Sequence, residues 1–165
     1  MNWRRFFRHL FATRRGLRAA FDNRVLGGIE QAVRASEASH RGEIRFVIEG
    51  SLHPAALWRG VSATERAKRV FSELDVWDTE HNNGVLVYVL FADHAVEIVA
   101  DRGFAGRVAA DEWRSACRAM ETQFAEGRYL EGSVAGIELI GRILARHYPA
   151  AGGGPNELAD RPAVL

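Results

Sequence analysis

The sequence predicts an α/β layered domain: a small mixed sheet with helices on both faces. Three observations carry this. Ile44 to Glu49 and Val85 to Phe91 read as strands with a helical segment between them. That order gives a parallel pair joined by a right-handed crossover. Val85-Leu86-Val87-Tyr88-Val89-Leu90-Phe91 is apolar without alternation, as in a strand covered on both faces. The turn Ala92-Asp93-His94-Ala95 then leads into Val96-Glu97-Ile98-Val99-Ala100, which predicts a hairpin and one antiparallel strand.

The elements follow in chain order. Residues 1–21 read as a basic amphipathic arm, 22–149 as the α/β domain and 150–165 as a flexible tail. In the arm, Phe7, Leu10 and Phe11 stand at i, i+3, i+4 spacing, which gives one apolar helical face, and Gly16 weakens a continuous helix. Arg24 to His40 predicts a helix with Val25, Leu26, Ile29, Ala32 and Val33 inward and Gly42 as its stop. After the first strand, His53 and Pro54 fall in a loop. Ser62-Ala63-Thr64-Glu65 is a capping box opening a helix to Leu74, with Ala67, Val70, Phe71 and Leu74 inward. A polar loop, Val76 to His81, precedes the hairpin. Val108 to Glu126 predicts a helix with Trp113, Cys117, Met120 and Phe124 inward, and Gly127 as its C-cap. Leu130 to Tyr148 predicts the last helix, with Val134, Ile137, Ile140 and Leu144 inward. Gly132, Gly136 and Gly141 lower its propensity and point to close packing.

Composition narrows the function classes. The 165 residues suit one domain with a real core, and 47% hydrophobic with 26% charged residues is ordinary for a globular protein. Net charge is +1, but Arg4, Arg5, Arg8, Arg14, Arg15 and Arg18 lie in the first 21 residues without an acid. The remaining 16 basic residues face 21 acids, so a basic arm sits on a body of about −5. One cysteine, Cys117, excludes an internal disulfide and a Cys-rich metal site, and reads as a small core residue. No apolar run approaches the ~18 residues of a membrane span. Arginines interrupt the N-terminus, which leaves no apolar signal core, so a cytoplasmic location is expected, peripheral at the inner membrane face.

The arm has three readings. A basic helix with aromatics on its other face suits an anionic membrane surface or a membrane-protein partner, reached through Arg4, Arg5, Arg8, Arg14, Arg15 and Arg18. It also suits packing on the acidic body. Nucleic acid is disfavoured, because the acidic body repels phosphates.

Asn83-Gly84-Val85-Leu86 entering the central strand, the charged turn and strand from Asp93 to Val99, and Phe-x-x-Gly-x-Tyr-x-x-Gly from Phe124 to Gly132 together resemble the TPM domain family over about residues 25–148. The resemblance implies a Rossmann-like αβα sandwich. It also implies calcium binding in some members, a modest acid phosphatase activity in a plant member, and accessory or assembly roles at membranes in others. Two departures stand out. Many relatives carry an aspartate where this chain has Arg128, which removes an acidic ligand. Relatives are also commonly exported or membrane-anchored, whereas this chain shows neither a signal nor a span.

A hairpin returns Asp101 to the neighbourhood of Asn82 and Asn83. The candidate metal ligands are therefore Asp78, Asn82, Asn83 and Asp101, with Glu80 and Glu112 as further carboxylates, for calcium or magnesium. The competing reading is turn chemistry for Asn82-Asn83-Gly84 and a capping role for Asp101. His53 and His81 read as solvated loop residues, Trp58, Trp77 and Trp113 as core or domain-edge anchors, and Glu43 and Glu49 as surface charges. No phosphate loop or nucleophile motif occurs, so no catalytic residue is assigned. The expected function is an accessory module acting through the basic arm. The alternative is a divalent-metal phosphatase.

Overall fold

A computed structural model describes residues 3–12, 14–150 and 155–165. Its elements run α1 (Trp3–Phe11), α2 (Arg14–Ala20), α3 (Asn23–Glu37), β1 (Glu43–Glu49), α4 (Pro54–Trp58), α5 (Ala63–Glu73), β2 (Gly84–Leu90), β3 (Ala95–Ala100), α6 (Ala110–Ala125), α7 (Tyr129–His147) and β4 (Ala163–Val164). The sheet order is β3-β2-β1-β4. As expected, β1 and β2 are parallel and β2 and β3 antiparallel.

Both faces of the sheet are covered. Ile44, Phe46 and Ile48 of β1 join Val85, Val87 and Val89 of β2 in one core with residues of α3, α6 and α7. The alternate positions, Val47, Leu86, Tyr88 and Leu90, form a second core with Leu57, Ala67 and Val70 of α4 and α5. This is why β2 is apolar throughout: period-two side chains serve two cores. On α7, a Cβ added at Gly136 falls 2.4 Å from Met120 of α6, so small residues let these helices approach closely.

Three features depart from the sequence reading. The arm is two helices, with Gly16 inside the second, and Leu17, Ala20 and Phe21 belong to the core. The chain's end is no free tail where it is described, since Ala163–Val164 pairs in parallel with β1. Arg45 holds this segment by donating to the carbonyls of Ala159 and Arg161, both at 2.7 Å. Residues 151–154 of the expected tail lie outside the described residues. The loop expected at His53 holds a short helix instead, with Pro54 at its first turn and the His53 ring accepting from the Ala55 amide at 3.2 Å.

Glu43 and Glu49 are buried rather than surface charges. Glu49 accepts from the Tyr88 hydroxyl at 2.5 Å and from Arg66 at 2.8 Å, and Glu43 accepts from the Leu158 amide at 3.1 Å. Burial without partners would be costly, and these bonds are the compensation. Of the tryptophans, Trp113 packs edge-on to Phe104 at 5.6 Å, but Trp58 and Trp77 are 70% and 48% exposed, so they are not core anchors. Cys117 packs against the main core, and burial pushes its thiol up to about 12.

Candidate functional site

Two regions at opposite ends of the sheet hold the chemistry. The first lies where β2 begins and β3 ends. Asn82 takes a left-handed backbone conformation with φ 52°, which asparagine tolerates. Gly84 follows because a Cβ there would meet the Val76 carbonyl oxygen at 2.0 Å. The Asp101 amide donates to the Gly84 carbonyl at 2.9 Å, and the Gly103 amide to that of Asn82 at 3.0 Å. The hairpin therefore does bring Asp101 beside the Asn82-Asn83-Gly84 turn.

The side chains there differ in what they offer. Asn83 is fully buried, and its Nδ2 donates to the Arg41 carbonyl at 2.5 Å. Asp101 is buried too, and its Oδ1 accepts from the Arg102 amide at 2.6 Å, a capping bond. The other oxygen of each, Asn83 Oδ1 and Asp101 Oδ2, is buried without a hydrogen-bond partner. Bare buried oxygens are the donor type a hard divalent cation takes, so this pair fits calcium or magnesium in its chemistry. The other expected ligands do not join them. Asn82 Oδ1 accepts from Arg102 Nε at 2.7 Å, which sets a guanidinium beside it. Asp78 and Glu80 are exposed, and the Glu80 amide donates to Glu157 at 2.9 Å. Glu112 is paired with Arg146 of α7. Among the described residues no group of three or more His, Cys, Asp or Glu side chains could hold a metal ion.

The second region is the carboxyl end of β2, where α1 docks. Asp93, in the short helical turn Phe91–Asp93, receives Arg5 at 2.7 Å, Arg8 at 2.8 Å and His9 Nε2 at 3.0 Å. Burial works to raise the Asp93 carboxyl, yet the bonds and charge of His9 and Arg5 hold it well below the usual carboxylate range. His9 is buried, and its Nδ1 accepts from the Leu52 amide at 3.0 Å. Its Nε2 stands 3.0 Å from Asp93 Oδ1, so the ring meets the body through both of its nitrogens. Arg5 also donates to the Val61 carbonyl at 2.7 Å.

With this side pinned, α1 turns Trp3, Phe7, Leu10 and Phe11 outward; their exposures are 60%, 49%, 60% and 72%. Phe7 and Phe11 stack at 6.3 Å, one helical turn apart. Arg5 and Arg8 are thus engaged with the body, while Arg4, Arg14, Arg15 and Arg18 are exposed. The arm's arginines were legible in the sequence as a group. Their division into anchors and free cations was not, because Asp93 comes from a turn more than eighty residues away. No helix among the described residues is long and apolar enough to cross a membrane.

The Phe-x-x-Gly-x-Tyr-x-x-Gly element proves structural. Phe124 and Tyr129 lie 5.4 Å apart and both contact Phe21, at 5.9 Å and 5.1 Å. Gly127 makes the turn between α6 and α7 with φ 74°. Arg128 donates to Gln123 at 2.6 Å.

Comparison with known proteins agrees with this architecture. Residues 19–143 match the TPM domain. The BA42 protein from the psychrophilic bacterium Bizionia argentinensis, solved by NMR, is similar to this chain at 30% identity with a TM-score of 0.75. The match covers 86% of this chain and 93% of that one. No curated protein shows a significant match. On these grounds the chain belongs to the TPM domain family.

Proposed function

We propose that the protein is an accessory module that docks on an anionic membrane surface through α1. The observation that carries this reading is the division of α1: Arg5 and His9 fasten one side to the body, and Trp3, Phe7, Leu10 and Phe11 stand exposed on the other. A surface helix normally turns its apolar face inward. One that spends polar residues on the body and aromatics on solvent is arranged for an apolar or interfacial partner. Four exposed arginines beside it, Arg4, Arg14, Arg15 and Arg18, supply attraction to acidic headgroups. The test is flotation with vesicles containing phosphatidylserine. Phe7→Ser with Phe11→Ser should abolish binding while leaving circular dichroism unchanged, because both residues are exposed. Full binding by that variant would overturn the reading.

A second reading is favoured by the two unpartnered oxygens, Asn83 Oδ1 and Asp101 Oδ2. They would hold a calcium or magnesium ion, with water and backbone carbonyls as further ligands. Such an ion supplies Lewis-acid polarisation of a phosphoryl oxygen, the basis of a metal-dependent phosphatase. Calcium and magnesium titrations followed by amide shifts test it. Saturable shifts confined to residues 82–84 and 101–103, lost in Asp101→Ala, support a site. Hydrolysis of p-nitrophenyl phosphate that is unaffected by Asp101→Ala would detach any activity from it.

A further inference from the structure

We infer that the membrane-facing surface has a second anchor, Trp58 on α4, so that the carboxyl end of the sheet lies against the bilayer and the Asn83–Asp101 edge faces away; this rests on the membrane reading above. Trp58 is 70% exposed, a costly placement for the largest side chain, while its neighbour Leu57 is buried and roots α4 in the second core. Two bonds fix α4 beside α1. His9 of α1 accepts from the amide of Leu52, two residues before α4, and Arg5 donates to the carbonyl of Val61, three residues after it. Helix α1 therefore crosses both ends of the segment that carries Trp58. Phe6 of α1 and Ala56 of α4 also pack on the same core.

The chemistry of this end selects an interfacial occupant. Its exposed apolar groups are mainly tryptophan and phenylalanine, the residues that lodge at headgroup depth. Exposed Arg4 and Arg59 accompany them, one on each segment. Phosphate headgroups match that charge. Two anchors on separate elements fix an orientation, which one helix on a loose tether would not. Trp77 provides the internal control. It is also exposed, but it follows Val76, whose carbonyl sits against Gly84 at the start of β2, so it belongs to the opposite end of the sheet.

The experiment compares full-length wild type, Trp58→Ser and Trp77→Ser for partition onto phosphatidylserine vesicles, with Phe7→Ser/Phe11→Ser as the arm control. Both tryptophans are exposed, so the variants should fold, and near-ultraviolet circular dichroism verifies it. The expected result is an affinity loss on the order of ten-fold for Trp58→Ser, equivalent to about 1.4 kcal/mol, and none for Trp77→Ser. If Trp58→Ser binds like wild type while the arm variant fails, the second anchor is wrong and the membrane reading survives. If wild type itself does not bind, the membrane reading fails. Equal losses at both tryptophans would overturn the orientation. Sedimentation velocity covers the remaining occupant: a wild-type dimer dissolved by Trp58→Ser would assign this surface to a second copy of the chain and overturn the inference.

Discussion

Arg5 of α1 and Asp93 of the turn after β2 lie 2.7 Å apart, and this pair locks the N-terminal helix to the end of the sheet. The Asp93 side chain is 9% exposed, and Arg5 and His9 are themselves largely shielded from solvent. The more exposed Arg8 adds less, because solvent screens it. Asp93→Ala should therefore cost ~1–3 kcal/mol, because it removes the carboxylate that Arg5 and the buried His9 face. Hydrogen exchange should quicken across α1 well before it quickens in β2. Since the Asp93 carboxyl is held low, its contribution is complete at neutral pH and fades only as pH falls below the usual aspartate range.

Glu37 gives stability a slope from mildly acidic to just above neutral pH. Burial first, then the neighbouring charges of Glu43 and Asp160, raise its carboxyl to about 8, despite the Ile44 amide donating to it at 3.0 Å. The folded chain then binds a proton that the unfolded chain has released. Stability should fall as pH rises from about 4.5 to 8 and level off above. Glu37→Gln should flatten this slope and gain on the order of 1–3 kcal/mol at pH 9, measured by urea denaturation at several pH values.

The Asp160 whose charge acts on Glu37 belongs to the segment that the sequence predicts as a tail. Ala150 to Leu165 carries glycines and prolines, and its described residues hold a two-residue strand, Ala163–Val164, too short for a local periodicity to announce. It is held by distant partners, Arg45 and Glu43 of β1, and such contacts leave no mark in the segment's own pattern. The hairpin, by contrast, was legible because β2 and β3 are adjacent in the chain and their apolar runs are bounded by turn residues. The same holds for the Ser62–Glu65 capping box, which forms as expected with Ser62 Oγ 3.1 Å from the Glu65 amide. At the candidate site, the approach of Asp101 to Asn83 followed from the hairpin. The guanidinium of Arg102 on Asn82 did not, since side-chain direction at a turn depends on the local helical turn Arg102–Phe104.

Gly84 and Gly103 should not tolerate alanine. The added Cβ would stand 2.0 Å from the Val76 carbonyl oxygen in one case and 2.3 Å from that of Asn82 in the other. Backbone must move to relieve either contact, at a cost of roughly 1–3 kcal/mol or more. Thermal denaturation checks this, and Gly27→Ala, with open space around it inside α3, is the control that should not destabilise, since alanine suits a helix interior better than glycine.

Arg102→Ala should strengthen any divalent-cation binding. It removes a positive charge from the turn that carries Asn83 and Asp101 and releases Asn82 Oδ1 from the guanidinium. Calcium titration of the variant should show an affinity gain of about ten-fold, the effect of ~1.4 kcal/mol. An unchanged titration would place any binding elsewhere.

Cys117 should be inert in the native protein. Its thiol is pushed up to about 12, so almost no thiolate exists at pH 8. Reaction with a disulfide reagent should follow global unfolding, with one equivalent released only in denaturant.

The central claim is that the outward face of α1 binds acidic bilayers, and flotation of wild-type protein with vesicles of graded phosphatidylserine content tests it most directly. The account predicts negligible binding to neutral phosphatidylcholine, binding that rises with acidic lipid, and weakening as salt approaches 0.5 M, where the Debye length falls to about 4 Å. Protein that stays at the bottom of the gradient at every lipid composition and at low salt would contradict it.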